Sequence, residues 1–199
     1  MQLSELRTKV RYHLREATAN TWTDVELNSH INLAQRYIGS RLRPELIPAL
    51  IVLKTETIVT SILSWSLPTD YVEMVSSPYH VSAAGVYTQF PFKDTQKFAE
   101  TASFGTNHLM YQKYVSVVTD GLLRISQLRT DGFLLYYYLS YPADLTIDSS
   151  VTEIPEGYVD LVILKAAADA LIKTRQLDES NLLLKYLEGR IDMANKEKK

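Results

Sequence analysis

The stretch "YVDLVILKAAADALIK", residues 158 to 173, constrains this chain more than any other. Its only charged positions between Leu161 and Lys173 are Lys165, Asp169 and Lys173, which fall at helical spacing on one narrow stripe. Nearly every other side is apolar. A helix of that kind has to be covered on most of its circumference, so it is expected at the centre of a helical bundle or against neighbouring copies. Ile154-Pro155 marks its start, because proline tolerates the first turn of a helix.

Three more helices are expected around it. Leu3, Leu6, Val10, Leu14 and Ala17 form an apolar stripe, which predicts a helix over 3–17. Arg7, Arg11 and Arg15 line another side and read as a solvated row, with an acidic neighbour as the alternative. "TWTDVELNSHINLAQRYIGSRL" then opens a second helix with several start signals at once. Thr23 and Glu26 have the spacing of a capping box, and Trp22 and Leu27 flank them as a hydrophobic staple. Leu27, Ile31, Ala34, Ile38 and Leu42 continue as its buried stripe. Because Ala19-Asn20-Thr21 is a short connection, these two helices are expected to pair as an antiparallel hairpin. The last helix starts near Asp178 and carries Leu183, Tyr186, Leu187, Ile191 and Ala194, ending in the charged tail "NKEKK".

Between the helical ends the periodicity changes. "LIVLKTETIVTS", "YQKYVSVV", "LLRISQL" and "FLLYYYLSY" are rich in β-branched and aromatic residues and read as strands. Asp-Gly at 120–121 and again at 131–132 signals two tight hairpins, predicting an antiparallel meander over 111–141. A short helix capped by Asp94 is expected over 94–101. The fold class is therefore α+β, an antiparallel helical bundle built from N- and C-terminal helix pairs with an inserted antiparallel β-rich segment. The expected divisions are a helical hairpin over 1–48, a β-rich insertion over 49–152, and helices with a charged tail over 153–199.

Composition narrows the function. The formal net charge is −2, with 7 basic against 4 acidic side chains in residues 1–43, 6 against 10 in 44–150, and 8 against 9 in 151–199. A DNA reader carries a strong basic footprint, and none is visible. Without cysteine there are no disulfides, thiolate metal sites or cysteine nucleophile. The N-terminus has no apolar core of a secretory signal, and the run at 159–172 is too short and too charged to span a bilayer. A soluble protein of a reducing compartment, or of a particle assembled in one, is expected.

Reactive constellations are equally scarce. His13, His30, His80 and His108 never pair at helical metal-ligand spacing. Glycine is rare, with no phosphate-cradling loop and no nucleophile elbow. Asp70 in "PTDY" and Asp144 in "PADL" could be imagined as a catalytic carboxylate pair, but an Asp after proline at a strand end usually serves a turn. Tyr136 and Tyr138 share one strand face while Tyr137 takes the other, which reads as sheet packing rather than base stacking. No catalytic, cofactor or metal site is expected.

In order and spacing, "TWTDVELNSHINLAQRYI", "SLPTDYVEM" and "IPEGYVDLVILKAAADAL" resemble the head-to-tail adaptor (connector) proteins of tailed bacteriophages. The likeness covers residues 3–42, 50–75 and 153–195. It implies a virion structural protein of the capsid-vertex neck, assembled in the host bacterial cytoplasm, with no enzymatic activity and no cofactor. Its partners would be the portal protein, neighbouring copies in a ring of about twelve, a tail or nozzle protein, and genome DNA passing through the lumen without sequence-specific binding. No membrane is involved. The portal-docking role falls on the last helix and tail, at Lys185, Arg190, Met193, Asn195, Lys196, Lys198 and Lys199. The acidic excess of the insertion is the candidate lumen or tail-side surface. A tail-completion or terminator protein is the near alternative, and a small DNA-binding regulator using Leu3–Leu42, or a hydrolase at Asp70 and Asp144, the more distant ones.

Overall fold

The computed structural model describes residues 1–16, 21–58, 64–91, 116–125 and 131–196. They divide into two compact units, Met1–Leu50 with Tyr141–Lys199, and Ile51–Ser140. Among the described residues, four helices and antiparallel sheets make an α+β fold.

The helical unit is built from α1 (Leu3–His13), α2 (Asp24–Arg41), α3 (Val159–Lys173) and α4 (Leu177–Lys196). α3 is its axis and packs on the other three. Ten of its fifteen residues are buried, including Val162, Ala166, Ala167 and Ala168 at 0–2% exposure. Its apolar circumference is thus covered by the chain's own helices, and neighbouring copies are not needed for that purpose. Ile154-Pro155 does not start α3 directly, because a 3-10 turn over Glu156–Tyr158 intervenes. α4 returns antiparallel along α3, with the Ser180 hydroxyl donating to the Ala168 carbonyl at 2.8 Å. In α4 the buried positions are Ser180, Leu187 and Ile191, so Tyr186, 54% exposed, lies outside the stripe expected for it.

α1 is shorter than its apolar stripe predicts. Leu14 caps it, and Arg15 takes a left-handed backbone (φ 53°) that ends the helix. The Glu16 carboxylate then accepts from Arg11 at 3.0 Å, which holds the chain against the helix it has just left. Ala17 lies outside the described residues, as does the helix expected over 94–101.

The β unit starts at Ile51 and ends at Ser140, so residues 141–152 do not belong to the insertion as expected. They run along the first helices instead. Leu3 donates its backbone N–H to Ser150 at 2.9 Å, Asn32 exchanges two hydrogen bonds with Leu145, and Val151 forms a bridge with Gln2.

One sheet is organised around β8 (Gly132–Ser140). β1 (Ile51–Ile58) pairs along one edge in full register, Ile51 opposite Leu139 and Ile58 opposite Gly132. β3 (Tyr71–Met74) and β4 (Tyr79–Ser82) share the other edge, and β5 (Tyr87–Gln89) lies beyond β4. A three-stranded sheet joins β2 (Ser64–Ser66), β7 (Leu122–Ile125) and β6 (Ser116–Thr119) in that order. Asp120 and Gly121, with φ of 52° and 72°, make the tight turn between β6 and β7. The second Asp-Gly does not extend that meander, because β8 pairs with β1, β3 and β4 and not with β7. An eight-residue match with β1 outweighs a local turn preference. Both sheets contribute to one apolar cluster, with Ile58, Phe90, Leu123, Ile125 and Leu134 at or below 1% exposure.

Candidate docking surfaces

The start of α2 forms as its residues require and does more than open one helix. Thr23 accepts from the Glu26 N–H at 3.2 Å, and the Thr23 N–H donates to the Glu26 carboxylate at 2.9 Å. The other Glu26 oxygen takes Lys173 of α3 at 2.5 Å, and Lys173 also donates to the Thr21 carbonyl. Trp22 is buried, and its indole N–H donates to the Ala170 carbonyl at 3.2 Å. The last carbonyls of a helix lack intrahelical partners. The first turn of α2 therefore closes the last turn of α3.

Donation from Lys173, then from the Thr23 backbone and side chain, draws the Glu26 carboxyl down from 4.5 to about 2. A carboxylate depressed on folding contributes its full stability above about pH 4.5 and loses it as pH falls toward about 2. Thermal midpoints of the full chain are therefore expected to drop between pH 4.5 and 2, and Glu26→Gln to flatten that drop. An unchanged acid slope in Glu26→Gln would remove Glu26 from the account.

The arginine row is not solvated. Arg7 pairs with Asp148 at 2.5 Å and Asp24 at 3.4 Å, with 13% of its side chain exposed. Arg11 pairs with Asp24 at 2.7 Å and also donates to the Trp22 carbonyl at 3.0 Å. Hydrogen bonding from Arg11 holds the Asp24 carboxyl below its usual range. Arg15 alone of the three is exposed. Two guanidiniums committed to carboxylates are unavailable to phosphates, which removes the basis of the DNA-binding alternative.

The imagined carboxylate pair is also spoken for. Asp70 accepts from the Tyr138 hydroxyl at 3.2 Å within the β unit, while Asp144 pairs with Arg36 at 2.9 Å within the helical unit. Tyr136 and Tyr138 are buried in the sheet core, and burial raises both hydroxyls above the ordinary tyrosine range. Among the described residues, no group of three His, Cys, Asp or Glu could hold a metal. His80 is buried in β4 and His13 is exposed at the end of α1, while His108 lies outside the described residues.

On the last helix, Lys185, Met193 and Lys196 are exposed, and Arg190 lies over the Tyr186 ring, 5.9 Å from its centroid. Asn195 is not a free surface residue. Its carbonyl oxygen accepts from the Arg43 N–H at 3.0 Å, and its amide donates to the Arg41 carbonyl at 2.9 Å, so it ties α4 to the end of α2. Arg41 reinforces that link through Glu188 at 2.6 Å. Lys198 and Lys199 lie outside the described residues.

The acidic excess of the insertion also moves. Glu45, Asp144 and Asp148 belong to the helical unit, where they face Arg43, Arg36 and Arg7. Residues 51–140 retain seven carboxylates against six lysines and arginines, close to neutral.

Periodicity did not disclose one surface feature of the helical unit. α1 and α4 border an open groove of about 940 Å³ lined by Tyr12, Arg15, Leu171, Glu179, Leu182 and Leu183. A second hollow of about 410 Å³ shares Tyr12 and His13 and adds Ile163, Leu164, Tyr186 and Arg190. Tyr12 and Leu182 are 83% and 69% exposed, large apolar side chains off the buried stripes of their helices. That position was the available signal.

A scaffold in which Arg7, Arg11, Arg36, Arg41 and Lys173 are occupied in internal pairs, with open apolar surface, suits assembly rather than catalysis. The family described as SU10 adaptor protein matches residues 1–197. The chain belongs to the SU10 adaptor protein family. This is a phage head–tail adaptor family, a family of structural adaptors, and it implies a virion component. An adaptor at that junction interacts with portal and tail proteins. No curated protein matches the chain. No helix among the described residues is long and apolar enough to cross a membrane.

Proposed function

We propose that copies of this SU10-family adaptor form a ring of twelve beneath the portal, extend the DNA channel and present the attachment surface for the tail or nozzle. The observation that carries this reading is the family match over residues 1–197. The free end of α4 docks on the portal through Lys185, Met193, Lys196, Lys198 and Lys199 with Arg190 alongside. Asn195 sets where that end leaves the bundle rather than making the contact itself. The β unit offers the tail or nozzle the exposed face of its larger sheet, where Leu53, Phe133, Tyr137 and Tyr87 are 43–69% exposed. Apolar surface of this kind marks an interaction site. DNA passes through the lumen without being held, which fits a chain of net charge −2 with no basic footprint.

The test is to mix the full chain with the purified portal ring of its own phage and follow mass and stoichiometry. Saturation at a ring number matched to the portal is expected. Deleting Lys196–Lys199, which spares Asn195, is expected to weaken binding at least about tenfold, equivalent to about 1.4 kcal/mol. Absence of binding to an intact portal ring would overturn the reading.

A further inference from the structure

We infer that the outer edge of β1 takes up an extended segment of the tail or nozzle protein, which adds to the larger sheet as one more strand. The inference rests on the tail-attachment reading and says how that attachment is made.

The free backbone groups of β1 follow from its pairing with β8. The Val75 N–H donates to the Tyr137 carbonyl at 2.9 Å, so Tyr137 turns its polar backbone away from β1. Backbone groups alternate in direction along a strand, so Tyr138, Tyr136 and Leu134 turn theirs toward β1. Val52, Lys54 and Glu56 are the register partners of those three and therefore bond to β8. Leu53, Thr55 and Thr57 point their N–H and C=O groups out of the sheet. Among the described residues, no strand or other backbone group bonds to that edge. An unpaired row of this kind is a template for another extended chain.

β1 lacks the devices that usually blunt an edge. It is eight residues long, contains no proline and keeps unbroken register with β8. Its two charged side chains, Lys54 and Glu56, pair with each other at 3.5 Å and so select against neither sign. The outward-bonding residues also share a face, because side chains and backbone direction alternate together. Leu53, Thr55 and Thr57 are exposed on the face that carries Phe133 and Tyr137. Thr57, Phe133, Val81 and Tyr87 form one row across four strands, and Leu53 beside Tyr137 starts another. Apolar or aromatic side chains opposite Leu53 and Thr57 would lengthen both rows. The occupant is thus an extended segment with apolar residues four positions apart.

The described strands of the chain do not fit this edge. β2, β3, β5 and β6 are only three or four residues long. A second β1 would bring the same edge against itself, a two-fold contact that adjacent copies in a ring do not share.

The test loads the full chain on portal rings, adds the purified tail or nozzle protein of the same phage, and reads amide exchange residue by residue over 51–58. Without the tail protein, the Leu53, Thr55 and Thr57 amides are expected to exchange fast while Val52, Lys54 and Glu56 are protected. With it, exchange at the first three is expected to slow about tenfold or more. Protection of those three before the tail protein is added would mean that the edge is already covered, and would overturn the inference. Binding without new protection there would overturn it and leave tail attachment standing. If the tail protein does not bind, the attachment reading falls and the inference with it. Thr55→Pro supplies a second readout, because proline is accepted at an edge where the N–H points out of the sheet. Native circular dichroism with tail binding weakened about tenfold or more is expected, and Thr55→Val should bind normally. Unchanged tail binding in a folded Thr55→Pro chain would overturn the assignment.

Discussion

Trp22→Ala is expected to destabilise the helical unit by about 3–5 kcal/mol, the usual range for removing a buried large aromatic side chain. Two losses combine. The ring of Trp22 is 4% exposed, so truncation opens a cavity in the helical unit. The indole N–H also leaves the Ala170 carbonyl without its donor, at a helix end that has no spare intrahelical partner. Trp22→Phe separates the terms, since it keeps most of the burial and loses the donor, at about 1 kcal/mol. Urea unfolding followed by far-UV circular dichroism measures both. A loss in Trp22→Ala no larger than that in Trp22→Phe would show that the ring is not packed as described. Because total domain stabilities are about 5–15 kcal/mol, the Ala variant removes a large share of what holds the subunit's shape. In a ring, any error in the angle between α2 and α3 repeats at every subunit, so loss of assembly is expected before loss of folding.

The residues of this junction were readable in advance because a helix start is a local code. Thr23 and Glu26 sit three apart, Trp22 and Leu27 bracket them, and each satisfies a need of the first turn. What could not be read was the other half of the junction, Ala170 and Lys173, some 148 residues away. The same limit governed the arginine row. A helix wheel shows that Arg7 and Arg11 share a side, but not that Asp148 and Asp24 will be brought to it. Asn195 looked like part of a free tail because its side chain bonds the backbone groups of Arg41 and Arg43, some 150 residues away, which no local pattern discloses. In the β unit, Asp-Gly at 131–132 was read as a hairpin turn, since that dipeptide reports local preference. Strand partnership is decided by length and burial over the whole sheet, and β8 found eight paired positions in β1. The open groove stayed hidden for a different reason. Tyr12 and Leu182 fall outside the apolar stripes, and a residue off the stripe is ordinarily just solvent-exposed.

Gly132→Ala carries the largest expected effect in the β unit, at about 3 kcal/mol or slightly more, the upper end of overpacking costs. A Cβ built on Gly132 would stand 2.2 Å from the Val81 carbonyl oxygen and 3.0 Å from both the Ser82 Cα and the His80 Nε2. Two of those atoms are backbone, so no rotamer change can relieve the clash, and β4 has to move away from β8. That displacement opens the pairs from Tyr79–Leu135 to Ser82–Gly132 and, with them, the hold on β5. The chain's two tryptophans fall one in each unit, Trp22 with the helices and Trp65 in β2. In a Trp22→Phe background, Trp65 fluorescence in urea therefore reports the β unit alone. A midpoint shift matching about 3 kcal/mol is expected, whereas a loss below about 1 kcal/mol would mean that β4 and β8 approach less closely than this register requires. The glycine also explains why β8 begins where it does. An Asp-Gly pair that would elsewhere make a turn here supplies the one residue narrow enough to let three strands meet.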